Sequence, residues 1–313
     1  MRSTGETDVS SMAATVQRLG VLLAAGITPM AAWGYLERRG PIAAIAREAA
    51  TGVPVPRAIL LATARSGPTA LSLWRAIAAA WSVATDAGAP LAPTLIELAG
   101  CIRDLAESQR QIAVALASPT ATARLVLALP AVGLVFGTLL GFNTVGTLFT
   151  TPIGWLCLGL GGGLVIVAAR WNRRMVRAAQ PRELTPGLPL DLMAIAVAGG
   201  GALDRAHASV SEALDLCGVV SEPGAPRDAE FTASMRVVDD VLDLSSRAGV
   251  PAAALLRAEA TELRRAARAR ATHRAQQLSV RLMIPLGLCV LPSFMLLSVV
   301  PLLVTVLGTT HLG

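Results

Sequence analysis

Few side chains in this 313-residue chain have the types and spacing that catalysis needs. All 27 basic residues are Arg, so there is no Lys for a nucleotide-binding P-loop, a Schiff base or a kinase-like phosphate contact. The chain has three His and one Tyr, and neither His207 nor His273 lies near a second His or Cys at metal-ligand spacing. The sequence therefore predicts a protein that is not an enzyme, with no cofactor, no metal site and no catalytic residues.

The cysteines and aspartates give no clear ligand pattern. The four Cys residues are far apart in the sequence, which predicts small buried side chains rather than disulfides or metal ligands. Six Asp residues suggest a cation site, but their spacing does not follow a calcium-binding loop, and a solvated surface is the favoured interpretation. They are Asp191, Asp204, Asp215, Asp239, Asp240 and Asp243.

The most pronounced charge feature is the arginine-dense stretch 257–281. The favoured interpretation is a solvated flank that anchors a membrane span beside anionic headgroups, at about 1 kcal/mol per Arg. The alternative is a docking surface for an acidic face of an ATPase ring. No aromatic residue lies among these arginines to stack on bases, so nucleic acid is not expected as a partner. The candidate ATPase-facing or lipid-facing residues are Arg264, Arg265, Arg268, Arg270 and Arg274.

The placement of charge indicates membrane spans. The chain is 53% hydrophobic and 15% charged, with a mean hydropathy of +0.58, whereas soluble domains average about 25% charged residues. Residues 125–169 carry no charge, nor do residues 282–313 apart from a possible His311. A polar stretch divides the first region, so we predict spans at 125–142 and 153–169, forming a transmembrane hairpin over 123–170. A third transmembrane helix is predicted over 281–308.

Arginines flank each predicted span on one side only. Arg124, Arg170 and the 264–281 cluster adjoin the spans, whereas the 143–152 loop and the C-terminal tail have no Arg. The positive-inside rule places both large polar segments in the cytoplasm and the short loop and C-terminus outside. The N-terminus has no apolar stretch typical of a cleaved signal peptide.

Glycines recur at helical spacing within the first two predicted spans. Small residues on one helix face let helices approach closely in lipid. The pattern is compatible both with packing of the two spans into a hairpin and with packing between copies of the chain. The candidate transmembrane packing residues are Gly133, Gly137, Gly141, Gly159 and Gly163.

The two polar segments read as Ala/Leu-rich helices and repeat each other. We predict an all-α protein with antiparallel helical bundles at 10–122 and 185–280, of about six and four helices. The second bundle is abbreviated and lacks the hairpin at 52–60. Gly suits a left-handed helix C-terminus and Pro the first turn of the next helix. The repeated turns are Gly26 and Pro29 with Gly199 at an offset of 173, and Gly88 and Pro90 with Gly249 and Pro251 at an offset of 161.

The order bundle, span, short loop, span, bundle, span, with these turns in each bundle, resembles the type II secretion system F (GspF/PilC-like) domain family. Segments 188–206 and 247–256 look most like the TadB/TadC platform proteins of tight-adherence (Flp) pili, and the resemblance covers residues 10–307. It implies a platform in the bacterial cytoplasmic membrane that couples a cytoplasmic secretion ATPase to pilin assembly. It also implies self-association or a second platform protein.

The alternative function is a small membrane transporter or channel subunit. Transport paths normally contain ionisable groups within the membrane. The predicted spans offer polar residues but no charge, which favours the platform. The polar residues are Thr138, Asn143, Ser293, Ser298 and Thr305.

Overall fold

The structure, a computed structural model, describes residues 4–36, 40–140, 144–179, 185–200, 202–219, 226–301 and 303. All regular structure in these residues is helical, which agrees with the predicted all-α class. The 10–122 and 185–280 segments contribute six and four helices respectively over these ranges, the numbers that the sequence predicts. The first six are α1 (Thr4–Ala24), α2 (Pro29–Tyr35), α3 (Gly40–Ala50), α4 (Val55–Thr63), α5 (Pro68–Asp86) and α6 (Leu91–Leu139).

The rest of the chain continues the helical order. α3 and α4 form the hairpin predicted in the first segment, joined at Gly52, and the described residues of 185–280 contain no counterpart of it. After α6 come α7 (Thr144–Thr150), α8 (Pro152–Ala179), α9 (Leu188–Ala198), α10 (Leu203–Leu216), α11 (Pro226–Ala248) and α12 (Ala252–Arg281). A final helical run consists of α13 (Met283–Pro285), a π-helical segment π1 (Leu286–Val290), α14 (Leu291–Phe294) and a second segment π2 (Met295–Val299).

The helices form two compact units whose boundaries fall inside α6 and α12. The first unit comprises residues 1–110 and 182–269, and the second comprises 111–181 and 270–313. The first unit therefore joins the two polar segments that the sequence predicts as separate bundles, and one hydrophobic core runs through both. The reason lies in α9, which buries eight of its 11 residues. A helix that is apolar all round needs partners on every side, and α5 of the first segment supplies one of them.

Glycine ends the helices at the repeated turns. Gly26, Gly88 and Gly249 adopt φ values of +85°, +68° and +67°, the left-handed conformation expected after a helix C-terminus. Gly199 differs from the expectation, because its φ is −71° and it continues the right-handed turn. The left-handed residue there is Gly200, with φ +82°. The two halves of the repeat are thus related at this turn by an offset of 174 residues rather than 173.

Proline marks the beginning of the helices that follow these turns. Pro29 is the first residue of α2, whereas Pro90 and Pro251 lie one residue before α6 and α12. A proline costs no helical hydrogen bond there, since the first amide groups of a helix lack an intrahelical acceptor.

The second unit contains the apolar helices. Ala121–Leu139 of α6 and Pro152–Val176 of α8 are long and apolar enough to cross a membrane, by length and composition. In the third predicted span, the apolar helical stretch is shorter, Gly287–Val299. Pro285 and Pro292 each lack the amide hydrogen that a regular α-helix needs. The resulting change of hydrogen-bond register is consistent with the π-helical segments π1 and π2 that interrupt this run.

Candidate functional site

One face of α12 carries arginines that pair with acidic side chains on α6 and α9. The three arginines are seven and four residues apart, a spacing that places them on one side of a helix. All three pairs lie within the first unit and tie α12 to its neighbours. They are Arg257 Nε–Glu97 Oε2 at 3.1 Å, Arg264 Nη1–Asp191 Oδ2 at 2.5 Å, and Arg268 Nη2–Asp104 Oδ2 at 2.7 Å.

This pairing corrects the predicted role of Arg264. Its side chain is only 14% exposed and bonds to Asp191, so Arg264 is an internal residue rather than an ATPase-facing or lipid-facing one. Arg268 is partly exposed and forms an ion pair with Asp104. Arg265 is exposed on the first unit and lies 3.5 Å from Glu262 of its own helix. Arg270 and Arg274, on the part of α12 in the second unit, are exposed as expected.

Asp191 is an internal carboxylate on the largely apolar helix α9. Its side chain is 16% exposed, against the solvated surface that the sequence favours for it. Burial raises the pKa of Asp191 to about 6, the Arg264 guanidinium opposes that rise, and the Glu97 carboxylate adds to it. Oδ2 accepts the hydrogen bond from Arg264, whereas Oδ1 is buried without a hydrogen-bond partner among the described residues.

A small cavity lies beside this carboxylate. It encloses about 20 Å³, which is room for about one water molecule and too little for an organic substrate. Burial is the main cause that raises the pKa of the Cys101 thiol to about 11, so the thiol is protonated at neutral pH and is a poor nucleophile. The lining residues are Ala80 of α5, Thr94, Glu97, Leu98 and Cys101 of α6, and Leu188, Asp191, Leu192 and Ile195 of α9.

The remaining aspartates are exposed and three of the four cysteines are buried, as the sequence predicts, whereas Cys101 is only half-buried. The five aspartates other than Asp191 are exposed: Asp204, Asp215, Asp239, Asp240 and Asp243. Among them, Asp239 lies 3.6 Å from His207, and Asp243 pairs with Arg247 at 2.7 Å. Three cysteines are buried and Cys101 is half-buried; the buried ones are Cys157, Cys217 and Cys289.

The predicted glycine packing in the second unit is only partly reproduced. A Cβ atom at Gly133 would lie 2.5 Å from Ser298 Oγ, so this glycine packs directly against the final helical run. Gly137 is buried, and Gly141 lies outside the described residues. In contrast, a Cβ atom added at Gly159 or Gly163 would contact no described side chain and no neighbouring helix within 4 Å.

Gly161 makes the close approach that the sequence assigns to its neighbours. Its added Cβ would lie 2.6 Å from Leu297 Cγ, which places α8 directly against π2. Ser298 also donates a hydrogen bond from Oγ to the Pro130 carbonyl, 3.1 Å away on α6. The glycine spacing in α8 contains no signal for this choice, because the face in use is set by Leu297, a residue more than 130 positions away.

Sequence reasoning also missed Glu97 and Cys101, the α6 residues beside Asp191. The available signal was the 161-residue offset of the repeat, which relates Arg103 of α6 to Arg264 of α12 and marks these two arginines as equivalent. The partners of those arginines could be identified only from their contacts.

No protein-family model, curated protein or solved structure matches this chain.

Proposed function

We propose that this chain is a multi-pass platform protein of the bacterial cytoplasmic membrane that couples a cytoplasmic secretion ATPase to pilin assembly. In this proposal the first unit faces the cytoplasm, the 143–152 loop and the C-terminus lie outside, and residues 282–307 form a third span. The partners are the ATPase, pilin subunits, lipid, and either a second platform chain or another copy of this one.

The observation that carries the proposal is the continuity of α6. This helix runs from Leu91 to Leu139 without a break, so the same helix contributes to the core of the first unit and contains the apolar stretch Ala121–Leu139. α12 is connected similarly, since only Leu282 separates its end from α13, and the Leu282 amide still donates to the Leu278 carbonyl. Such helices transmit force better than a Gly/Ser-rich linker.

The side chains of α8 support a membrane setting for the second unit. Trp155 and Trp171 are exposed and lie about 24 Å apart along the helix axis. Tryptophan is enriched at the two interfaces of a bilayer whose hydrocarbon core is about 30 Å thick. Between them lie exposed apolar side chains such as Leu160 and Ile166. Arg170, Arg173 and Arg174 begin at the same end as Trp171, as the proposed cytoplasmic flank requires.

The test is to break the continuity of α6. A six-residue Gly/Ser insertion after Ala117 replaces the helical connection with a flexible one, and we expect filament assembly to be lost while the chain still reaches the membrane. The control is the same insertion between Thr51 and Gly52, an exposed turn between α3 and α4, which should leave assembly intact. Normal assembly with the Ala117 insertion refutes mechanical coupling. Failure to co-purify any ATPase or pilin with the wild-type chain refutes the platform function itself.

A further inference from the structure

Both halves of the first unit bring a short helix against a long one through a glycine. In the first half, a Cβ at Gly20 of α1 would lie 3.2 Å from the Ala92 carbonyl oxygen on α6. In the second half, a Cβ at Gly187, directly before α9, would lie 3.1 Å from the Ala260 carbonyl oxygen on α12. Each half thus contains one such contact, α1–α6 and α9–α12, although Gly20 and Gly187 do not lie at equivalent positions of the repeat.

A similar polar contact from an arginine occurs in both halves of the first unit. Arg103 of α6 donates to Gln17 Oε1 of α1 at 2.9 Å, and Arg264 of α12 donates to Asp191 Oδ2 of α9 at 2.5 Å. The offset of 161 relates Arg103 to Arg264, and the offset of 174 fixed by the left-handed glycines relates Gln17 to Asp191. The Gln17–Arg103 contact has a neutral acceptor and is exposed, whereas the Asp191–Arg264 contact has an ionisable acceptor and is largely buried.

We propose that the Asp191–Arg264 contact is a protonation-sensitive tie between α9 and α12, with Gln17–Arg103 as its non-titrating counterpart. When Asp191 is ionised, the α9–α12 contact opens to water more readily than when Asp191 is neutral. This pH response is a property of the folded first unit alone and does not require a role in filament assembly.

The direction follows from burial, which disfavours the ionised carboxylate and is the largest cause of the raised pKa of Asp191, whose side chain is only 16% exposed. The charged groups that act on it are Arg264 and Arg257 of α12, which favour ionisation, and Glu97 of α6, which opposes it. The Cys101 thiol of α6 lines the same cavity and is neutral. An ionised Asp191 keeps one oxygen, Oδ1, without a protein partner among the described residues and with room beside it for only about one water, so opening restores its full hydration.

The size of the effect follows from linkage. Asp191 has a pKa of about 6 in the closed contact and an ordinary value of 3.8 when it is opened to water. The proton therefore binds the closed form more tightly, and closure weakens as the pH rises through 6. Between pH 5.0 and pH 7.5 these two values increase the opening equilibrium about tenfold.

Hydrogen exchange of the full chain in detergent micelles, measured by mass spectrometry at both pH values and corrected for intrinsic rates, tests the proposal. We expect the protection of α9 amides to fall about tenfold from pH 5.0 to pH 7.5 in the wild type. Asp191→Asn mimics the neutral acid and should give equal protection at both values. α1, which holds Gln17, is the internal reference and should show no change. Equal α9 protection in the wild type, or a pH dependence that persists in Asp191→Asn, overturns the proposal.

A second variant keeps the proposal testable if Asp191→Asn fails to fold. Burial is the main cause of the raised pKa of Asp191, and Glu97→Gln removes the carboxylate that adds to that rise, on a partly exposed side chain. The midpoint of the α9 protection change should move to lower pH than in the wild type. A midpoint that stays in place contradicts the assigned electrostatics. A matched Glu107→Gln change on the same helix, at an exposed position away from the cavity, should leave the midpoint unaltered.

Discussion

Replacing Gly161 by alanine tests which face of α8 packs against the final helical run. The new Cβ would lie 2.6 Å from Leu297 Cγ and 3.1 and 3.3 Å from its two methyl carbons. Leu297 is only 7% exposed, so it has little room to move away. Overpacking of this kind costs about 1–3 kcal/mol. Gly159→Ala is the matched control, since its Cβ meets no described neighbour within 4 Å and it gains the same helix propensity.

The two variants should therefore differ by the overpacking cost alone. Cys289 gives the readout, because its buried thiol clusters with Ala168 of α8 and becomes accessible when α8 and the final run separate. We expect N-ethylmaleimide to alkylate Cys289 about 5–150-fold faster in Gly161→Ala than in Gly159→Ala, which is the rate equivalent of 1–3 kcal/mol. The full chain in detergent is used, with modification followed by mass spectrometry. Equal rates, or faster modification in Gly159→Ala, would refute the packing described for α8.

Three further outcomes are expected in unfolding experiments on the full chain. Gly199→Ala should lower the free energy of unfolding by more than about 2 kcal/mol in chemical denaturation, because its Cβ would overlap the carbonyl of Ala87, the residue directly after α5. Because the pKa of Asp191 is raised in the folded state, protonation of Asp191 stabilises the fold by about 3 kcal/mol. This stabilisation is fully present below pH 3.8 and is lost as the pH rises through about 6. Asp191→Asn should flatten that part of the plot of unfolding free energy against pH. Arg75→Met should lower the melting temperature by removing the guanidinium bond to the Gly218 carbonyl at the end of α10, worth about 1–2 kcal/mol.

Local features of the chain predicted much of the helical order. Gly26, Gly88 and Gly249 could be assigned to helix ends because a left-handed residue is disfavoured for any side chain with a Cβ, so the residue type alone carries the information. The apolar stretches of α6 and α8 were likewise evident, since the absence of charge over a span-length segment is a property of consecutive residues. At the turn after α9 the left-handed residue is Gly200 and not the predicted Gly199, because residue type alone does not distinguish two adjacent glycines.

Other expectations failed where a residue's surroundings come from distant parts of the chain. Arg264 has the same sequence context as the exposed arginines around it, yet it is only 14% exposed because Asp191, 73 positions earlier, lies against α12. Asp191 in turn has a raised pKa because α5 and α6 remove water from it. Neither fact is encoded in the local pattern.

The sequence by itself determined that this chain is helical, that charge is absent from two long stretches, and where the repeated turns end each helix. These follow from backbone preferences and from runs of neighbouring residues. Only the tertiary structure decided that the two polar segments share one core, that Gly161 rather than Gly159 meets the final run, and that one ion pair of the arginine-rich helix is internal. Those outcomes depend on which helix faces come together, and that depends on how side chains far apart in the sequence fit and exclude water.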